Sequence, residues 1–162
     1  MSHCEYESPV GVLTLVASDY GLQGVWWPDD PRRPPVGDAD PAHPVLRQTV
    51  KQLDEYFAGR RTRFDVPLDP VGTDFQRAAW QVLRQIPYAQ TITYGEQARR
   101  LGDPRKARAA GAANGRNPIS IIVPCHRVVG SSGALTGFAG GLGAKQWLLD
   151  FERAHLDGGQ AR

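Results

Sequence analysis

The sequence predicts an α+β protein in two parts: a small antiparallel sheet with one helix over residues 1–70, and a mainly helical second part over 71–162 that carries a helix-turn-helix. Three observations predict it. Apolar and polar residues alternate with period two in "SPVGVLTLVAS" and follow again in "GLQGVWW". From Thr73 onward, apolar residues recur at helical spacing behind capping signals. Two short helical segments are then separated only by Gly102-Asp103-Pro104, the turn length of a helix-turn-helix.

Each element follows from its residues. The first strand leaves a Pro9-Val10-Gly11 turn, and the second follows Asp19-Tyr20-Gly21. The segment Pro28 to Pro44 is dense in proline and acid, so it sustains neither helix nor central strand and reads as an exposed loop. "VLRQTVKQLDEYFAG" places Val45, Leu46, Val50, Leu53, Tyr56 and Phe57 at helical spacing and stops at Gly59. Phe64 to Val71, with Pro67 and Pro70, reads as an extended linker. Thr73 and Gln76 form a capping box, behind which Phe75, Ala78, Ala79, Val82, Leu83 and Ile86 make one stripe before Pro87 ends the helix. Thr93 and Glu96 form a second box, opening a short helix with Ala98 and Leu101 that ends at Gly102. Asp103 and Pro104 then serve as N-cap and first residue of "PRKARAAGAANG". Ile121-Ile122-Val123 reads as a short buried strand ended by Pro124, and "GAKQWLLDFERAH" as a closing helix.

Composition narrows the class of function. The chain has 162 residues, 41% of them hydrophobic, enough for one good core or two small ones. No apolar run approaches the roughly 18 residues that cross a membrane, and the start lacks a basic head followed by an apolar stretch, so a soluble, cytoplasmic protein without membrane contact is expected. Cys4 and Cys125 form no disulfide framework and are expected to be free. A formal charge of +2 does not announce a nucleic-acid binder, but its distribution is uneven. Arg99, Arg100, Arg105, Lys106, Arg108 and Arg116 cluster ahead of Cys125, whereas Asp29, Asp30, Asp38 and Asp40 gather in the first third.

Pro124-Cys125-His126-Arg127 holds the chemistry. Proline ends the run, and the turn that follows displays a thiol beside a base. A free thiol is only slightly ionised near neutrality, so it needs a base or a positive field to attack. Adjacent side chains diverge, which favours a bridging water between Cys125 and His126 over direct contact. Glu152 shares a helical face with Leu148 while Asp150 falls opposite, so Glu152 is expected inward, where a buried carboxylate needs a partner such as histidine. On residue type alone a lone cysteine reads more readily as a small buried hydrophobe, and Pro124, Arg127 and the inward Glu152 bring the two readings level.

The wider window "GAANGRNPISIIVPCHRVVGSSGALTGFAGGLGAKQWLLDFE", Gly111 to Glu152, decides between them. With its Asn117-Pro118 pair, the Pro-Cys-His-Arg core, the Gly140-Gly141 loop and the closing Leu-Leu-x-x-Glu helix, it resembles the signature region of the O6-alkylguanine-DNA alkyltransferases, also called methylated-DNA-protein-cysteine methyltransferases. The resemblance runs from about Val71 to Glu152, and more loosely through the first part.

It implies a ribonuclease-H-like α/β fold for 1–70 and alkyl transfer by 71–162. The activity implied is direct DNA repair: a methyl or other alkyl group passes once from O6 of guanine, or O4 of thymine, to Cys125, without a cofactor. His126 and Glu152 would activate the thiol and Asn117 would position its turn. Tyr94 would face the purine N3, the carbonyls of Cys125 and Val128 the exocyclic amine, and the Ala139 amide, beside Gly140, the O6 atom. Arg108 would fill the stack vacated by a flipped nucleotide, with Ala107, Ala109, Gly111 and Arg116 around it on a helix lying in the minor groove of duplex DNA. The chain carries Phe138-Ala139 where some relatives have Tyr-Ser, which bears on bulky alkyl groups. His3, Cys4 and His43 fall short of the zinc site some relatives carry, so no metal is expected. A non-catalytic lesion-binding relative is the alternative, and the presence of Cys125 argues against it.

Overall fold

The computed structural model describes residues 1–156; the end of the second part, 157–162, lies outside the described residues. β1 (Ser2–Ser8), β2 (Gly11–Ala17) and β3 (Leu22–Trp26) pair antiparallel in that order. The sequence reading had no β1, because its apolar positions Cys4 and Tyr6 stand among His, Ser and Glu and give a weak alternation. β2 is central and buries Leu13 to Ala17 continuously.

Across this sheet lies α1 (Pro44–Phe57), with Pro44 in its first turn and His43 as N-cap, where the His43 Nδ1 accepts from the Val45 amide at 3.2 Å. Leu46, Leu53 and Tyr56 are its buried face, and Gly59 follows the helix in a left-handed conformation at φ +75°. The Tyr6 hydroxyl donates to Asp54 at 2.7 Å, tying the helix to β1.

The stretch 64–71 is more than a linker. The Leu22 amide donates to the Pro67 carbonyl and the Asp69 amide to the Leu22 carbonyl, each at 2.8 Å, so the segment adds to the free edge of β3 with Val66 buried. The same strand holds the second part through the Val25 amide, which donates to the Pro118 carbonyl at 2.8 Å. An exposed sheet edge is thereby paired from both halves of the chain.

In the second part, α2 (Asp74–Arg84) opens on the full capping box, with Gln76 N to Thr73 Oγ1 at 3.1 Å and Thr73 N to Gln76 Oε1 at 3.0 Å. Its inner face carries Ala79, Trp80, Val82 and Leu83; Ala78, expected inside, is exposed, because Trp80 turns in to donate to the Ala113 carbonyl at 2.8 Å. β4 (Ile92–Thr93) pairs in parallel with β5 (Val128–Val129). α3 (Tyr94–Arg100) has half of the expected second box: Thr93 caps the Glu96 amide at 3.1 Å, but the Glu96 carboxylate turns to Arg99 and Arg100. Two cations three and four residues on are stronger partners than one backbone amide. A 3-10 turn at Pro104–Lys106, capped by Asp103, leads into α4 (Ala107–Gly115), completing the helix-turn-helix. Gln97 and Asn114 exchange two buried hydrogen bonds of 2.8 Å across it, fixing how α3 and α4 cross. The chain closes with α5 (Leu142–Ala154).

The run Ile121-Ile122-Val123 is not a strand. Ile122 donates to the Ser120 carbonyl and Val123 to the Ile119 carbonyl, each at 2.9 Å, and Ile121 sits at φ +74°, so the segment is a tight buried turn. Burial explains its hydrophobicity; period-based reading cannot distinguish a buried turn from a buried strand when every residue is apolar. One core unites the halves, joining Leu13, Leu15, Tyr56, Trp80, Ile119, Cys125 and Leu148.

Candidate active site

A left-handed β-branched residue is costly and persists only where its surroundings enforce it. Around Ile121 they do. Asn117 Nδ2 donates to the Val123 carbonyl at 2.9 Å and Asn117 Oδ1 accepts from the Ile119 amide at 3.0 Å, so one buried amide side chain staples both ends of the turn. The Asn117 backbone N–H returns to the Asn114 carbonyl at the end of α4, at 3.1 Å. The turn delivers Cys125, His126 and Arg127 on one 3-10 turn, all three buried.

Glu152, inward on α5 as expected, is fully buried, while Asp150 is exposed. Its carboxylate collects five donors. His126 Nε2 lies 2.8 Å from Oε2, Arg127 reaches Oε1 through Nε and Oε2 through Nη2 at 2.9 Å each, the Tyr56 hydroxyl donates to Oε2 at 2.6 Å, and the Ala89 amide to Oε1 at 3.1 Å. Ala89 is itself left-handed, at φ +64°. Burial alone would raise the Glu152 carboxyl, but His126 and Arg127 hold it well below the usual carboxylate range.

An ionised carboxylate only accepts, so the proton between Glu152 and His126 sits on Nε2. Burial pushes His126 down, against the pull of Glu152, which favours the neutral ring. Nδ1 is therefore the bare, basic nitrogen, and it is buried with no hydrogen-bond partner among the described residues. Burial also pushes the Cys125 thiol up, opposed by the Asn117 side chain and the Lys145 ammonium, so at rest the site pairs a neutral thiol with a neutral imidazole.

Cys125 is 8% exposed. A cavity of about 750 Å³ has Pro124 and Arg127, the sequence neighbours of the Cys125–His126 pair, among its lining residues, but not Cys125. The segment that follows β5 is tied down to α3 and α5. Its Thr136 hydroxyl pairs with Tyr94 Oη at 2.7 Å, and its carbonyl accepts from the fully buried Lys145 Nζ at 2.9 Å. Lys145 also donates to the Val128 carbonyl at 2.7 Å. The Val128 amide in turn donates to the Cys125 carbonyl. Ala139 is exposed, and Gly140 lies flat on the Trp27 ring.

On the helix-turn-helix, Arg108 and Ala109 are exposed, Ala107 is half-buried, and Gly111 turns toward the Tyr94 ring. The basic cluster is partly neutralised: Arg99 and Arg100 pair with Glu96, Arg105 with Asp103, and Lys106 lies over the Phe75 ring. Arg108 and Arg116 are left exposed without an ion pair among the described residues. Sequence reasoning gave no role to Arg127, Tyr56, Ala89 or Lys145. Arg127 follows His126 directly, and Lys145 precedes Glu152 by seven residues, two helical turns on one face, which is the signal that could have found it.

Residues 74–154 match the family described as "6-O-methylguanine DNA methyltransferase, DNA binding domain", and residues 3–70 its "ribonuclease-like domain". Among similar proteins is the methylated-DNA–protein-cysteine methyltransferase of Methanosarcina acetivorans, 45% identical over 153 residues, covering 94% of this chain and 98% of the relative. The protein of the same name from Mycolicibacterium paratuberculosis is 48% identical over 149 residues, covering 92% and 90%. The crystal structure of Mycobacterium tuberculosis OGT in complex with DNA superposes with a TM-score of 0.89 at 45% identity, covering 96% of this chain and 94% of that one.

Proposed function

The chain belongs to the 6-O-methylguanine DNA methyltransferase family and is a DNA-repair alkyltransferase of the methylated-DNA–protein-cysteine methyltransferase class; on that premise we propose that Cys125 is its acceptor, activated by His126 and Glu152 and used once. The observation that carries this reading is the basic His126 Nδ1, buried without a partner while Nε2 is fixed by an ionised Glu152.

A water between Nδ1 and Sγ passes the thiol proton to the imidazole, and the imidazolium is stabilised by the Glu152 charge beside it. The thiolate attacks the alkyl carbon of O6-alkylguanine, or O4-alkylthymine, forming a C–S bond as the C–O bond breaks and its electron pair moves onto the base. The base is reprotonated, so the thiol proton is conserved overall and the neutral base departs. The thioether has no good leaving group, hence one transfer per chain. Tyr94 Oη donates toward the purine N3 as charge develops, the Ala139 amide beside Gly140 faces O6, and the carbonyls of Cys125 and Val128 accept from the exocyclic amine. Tyr94 and the Val128 carbonyl are held by Thr136 and Lys145, so binding a base requires the segment at Thr136 to yield.

DNA is the partner, and we place alkylated duplex on α4 through the minor groove. Exposed Arg108 enters the stack as the damaged nucleotide flips, at a cost of a few kcal/mol, between the small Ala107 and Ala109, while Gly111 backs Tyr94 and Arg116 meets phosphate. Asn117 positions the nucleophile's turn. The boundary between the halves falls at 70/71, and two free thiols suit a reducing cytoplasm. No helix among the described residues is long and apolar enough to cross a membrane. Cys125→Ser should abolish transfer while duplex affinity is retained; a Ser variant that still removes the methyl group refutes the assignment.

A further inference from the structure

We propose that Trp27, at the end of β3 in the first half of the chain, sets the size of alkyl group that the site accepts. This rests on the reading that residues 138–140 face the alkylated O6 atom. The indole is 4% exposed and touches both walls of the reactive site at once. On one side its Nε1 donates to Ser120 Oγ at 3.0 Å, within the turn that delivers Cys125. On the other it meets the Phe138 ring edge-on, with centroids 5.5 Å apart and planes at 69°. It also lies against the Gly140 backbone so closely that a Cβ there would stand 2.6 Å from the ring.

A rigid bicyclic side chain between the two walls fixes their separation, since packed interiors do not deform continuously. The strand that carries it is anchored to the same turn, through Val25 N to the Pro118 carbonyl at 2.8 Å. The first half of the chain thus supplies the spacer between nucleophile and loop, although none of its residues takes part in the proposed transfer. On that same reading Phe138, held edge-on against Trp27, stands where a bulky alkyl group on O6 would project. Trp27 is a positioning residue, and its signature is selectivity between substrates.

The test compares rates of alkyl transfer to Cys125 from the free bases O6-methylguanine and O6-benzylguanine, measured by intact mass, so that DNA binding plays no part. Trp27→Leu leaves Phe138 free to swing back, and the benzyl-to-methyl rate ratio should rise about five-fold or more, the range in which apolar pocket volume discriminates. An unchanged ratio, or equal losses for both bases, makes Trp27 a merely structural residue and overturns the proposal. Should the Leu variant not fold, as judged by circular dichroism, Trp27→Phe decides: the smaller ring uncovers Gly140, and the ratio should rise about two-fold, whereas no rise overturns the proposal. Absence of transfer from either base to the unaltered protein would instead defeat the functional reading on which this one stands.

Discussion

Arg127 and Glu152 form a two-point ion pair, Nε to Oε1 and Nη2 to Oε2 at 2.9 Å each, with both side chains almost wholly removed from water. The remaining guanidinium nitrogen, Nη1, donates to the Ile86 carbonyl at 2.9 Å, so the pair also joins the end of α2 to α5. This geometry orients Glu152 toward His126 and makes the pair structural and electrostatic at once.

Arg127→Ala should therefore cost about 3–5 kcal/mol of unfolding free energy, because it leaves a carboxylate buried without its main counter-charge. Chemical denaturation measures it. A loss below about 1 kcal/mol would mean that His126, Tyr56 and Ala89 satisfy Glu152 without the arginine.

Tyr56→Phe removes one short hydrogen bond to the same carboxylate and leaves the aromatic packing around it. The expected loss is about 1.5–3 kcal/mol, the range for a hydrogen bond to a charged group. Transfer rate should change little, since the Tyr56 hydroxyl touches Glu152 and not the thiol or the imidazole.

Acid should act on both stability and rate, with the same sign. Glu152 is held below its ordinary value by His126 and Arg127, so its contribution is complete above about pH 4.3 and is lost as pH falls below that. His126 is pushed down by burial, so the unfolded chain takes up its proton first and stability also falls as pH drops below about 6.5. Glu152→Gln should be less stable near neutrality yet lose less between about pH 5 and about pH 3. The transfer rate should stay level down to about pH 6.5 and fall only below it, where Nδ1 becomes protonated. A rate already falling from about pH 8 would contradict a neutral resting imidazole.

Much of this site was legible in the sequence, for physical reasons that differ by residue. Cys125 and His126 stand out only through the wider window from Gly111 to Glu152, since a lone Cys-His pair is too short to be specific, whereas Glu152 is marked by its place on an apolar helical face. Arg127 was visible but without a role, since an arginine's partner lies across the fold, 25 residues away. Tyr56 is a further case: helical spacing put it in the core, and nothing local tells that its hydroxyl reaches α5. The turn at Ile121 was misread because an all-apolar run has no period, and β1 was missed because its alternation is diluted by polar residues. The tether at Thr136 consists of contacts with Tyr94 and Lys145, the first of them 42 residues away in sequence.

Tyr94 and Thr136 can be separated experimentally. Tyr94→Phe should slow transfer by about 10²-fold, as for loss of one donor to developing charge. Thr136→Val breaks the same hydrogen bond from the other side, without removing the donor, and should leave the rate unchanged or raise it. Equal slowing by both would assign the tyrosine hydroxyl to loop closure alone.

Arg108→Ala should weaken transfer from duplex DNA far more than transfer from the free modified base, because only the duplex has a vacated stack to fill. Equal losses would remove Arg108 from that role.

The mass of the chain after reaction with duplex containing O6-methylguanine is the most direct measurement. A gain of one methyl group, mapped to the peptide bearing Cys125 and halting at one equivalent, is the expected result; continued turnover, or a methyl group on any other residue, contradicts the account.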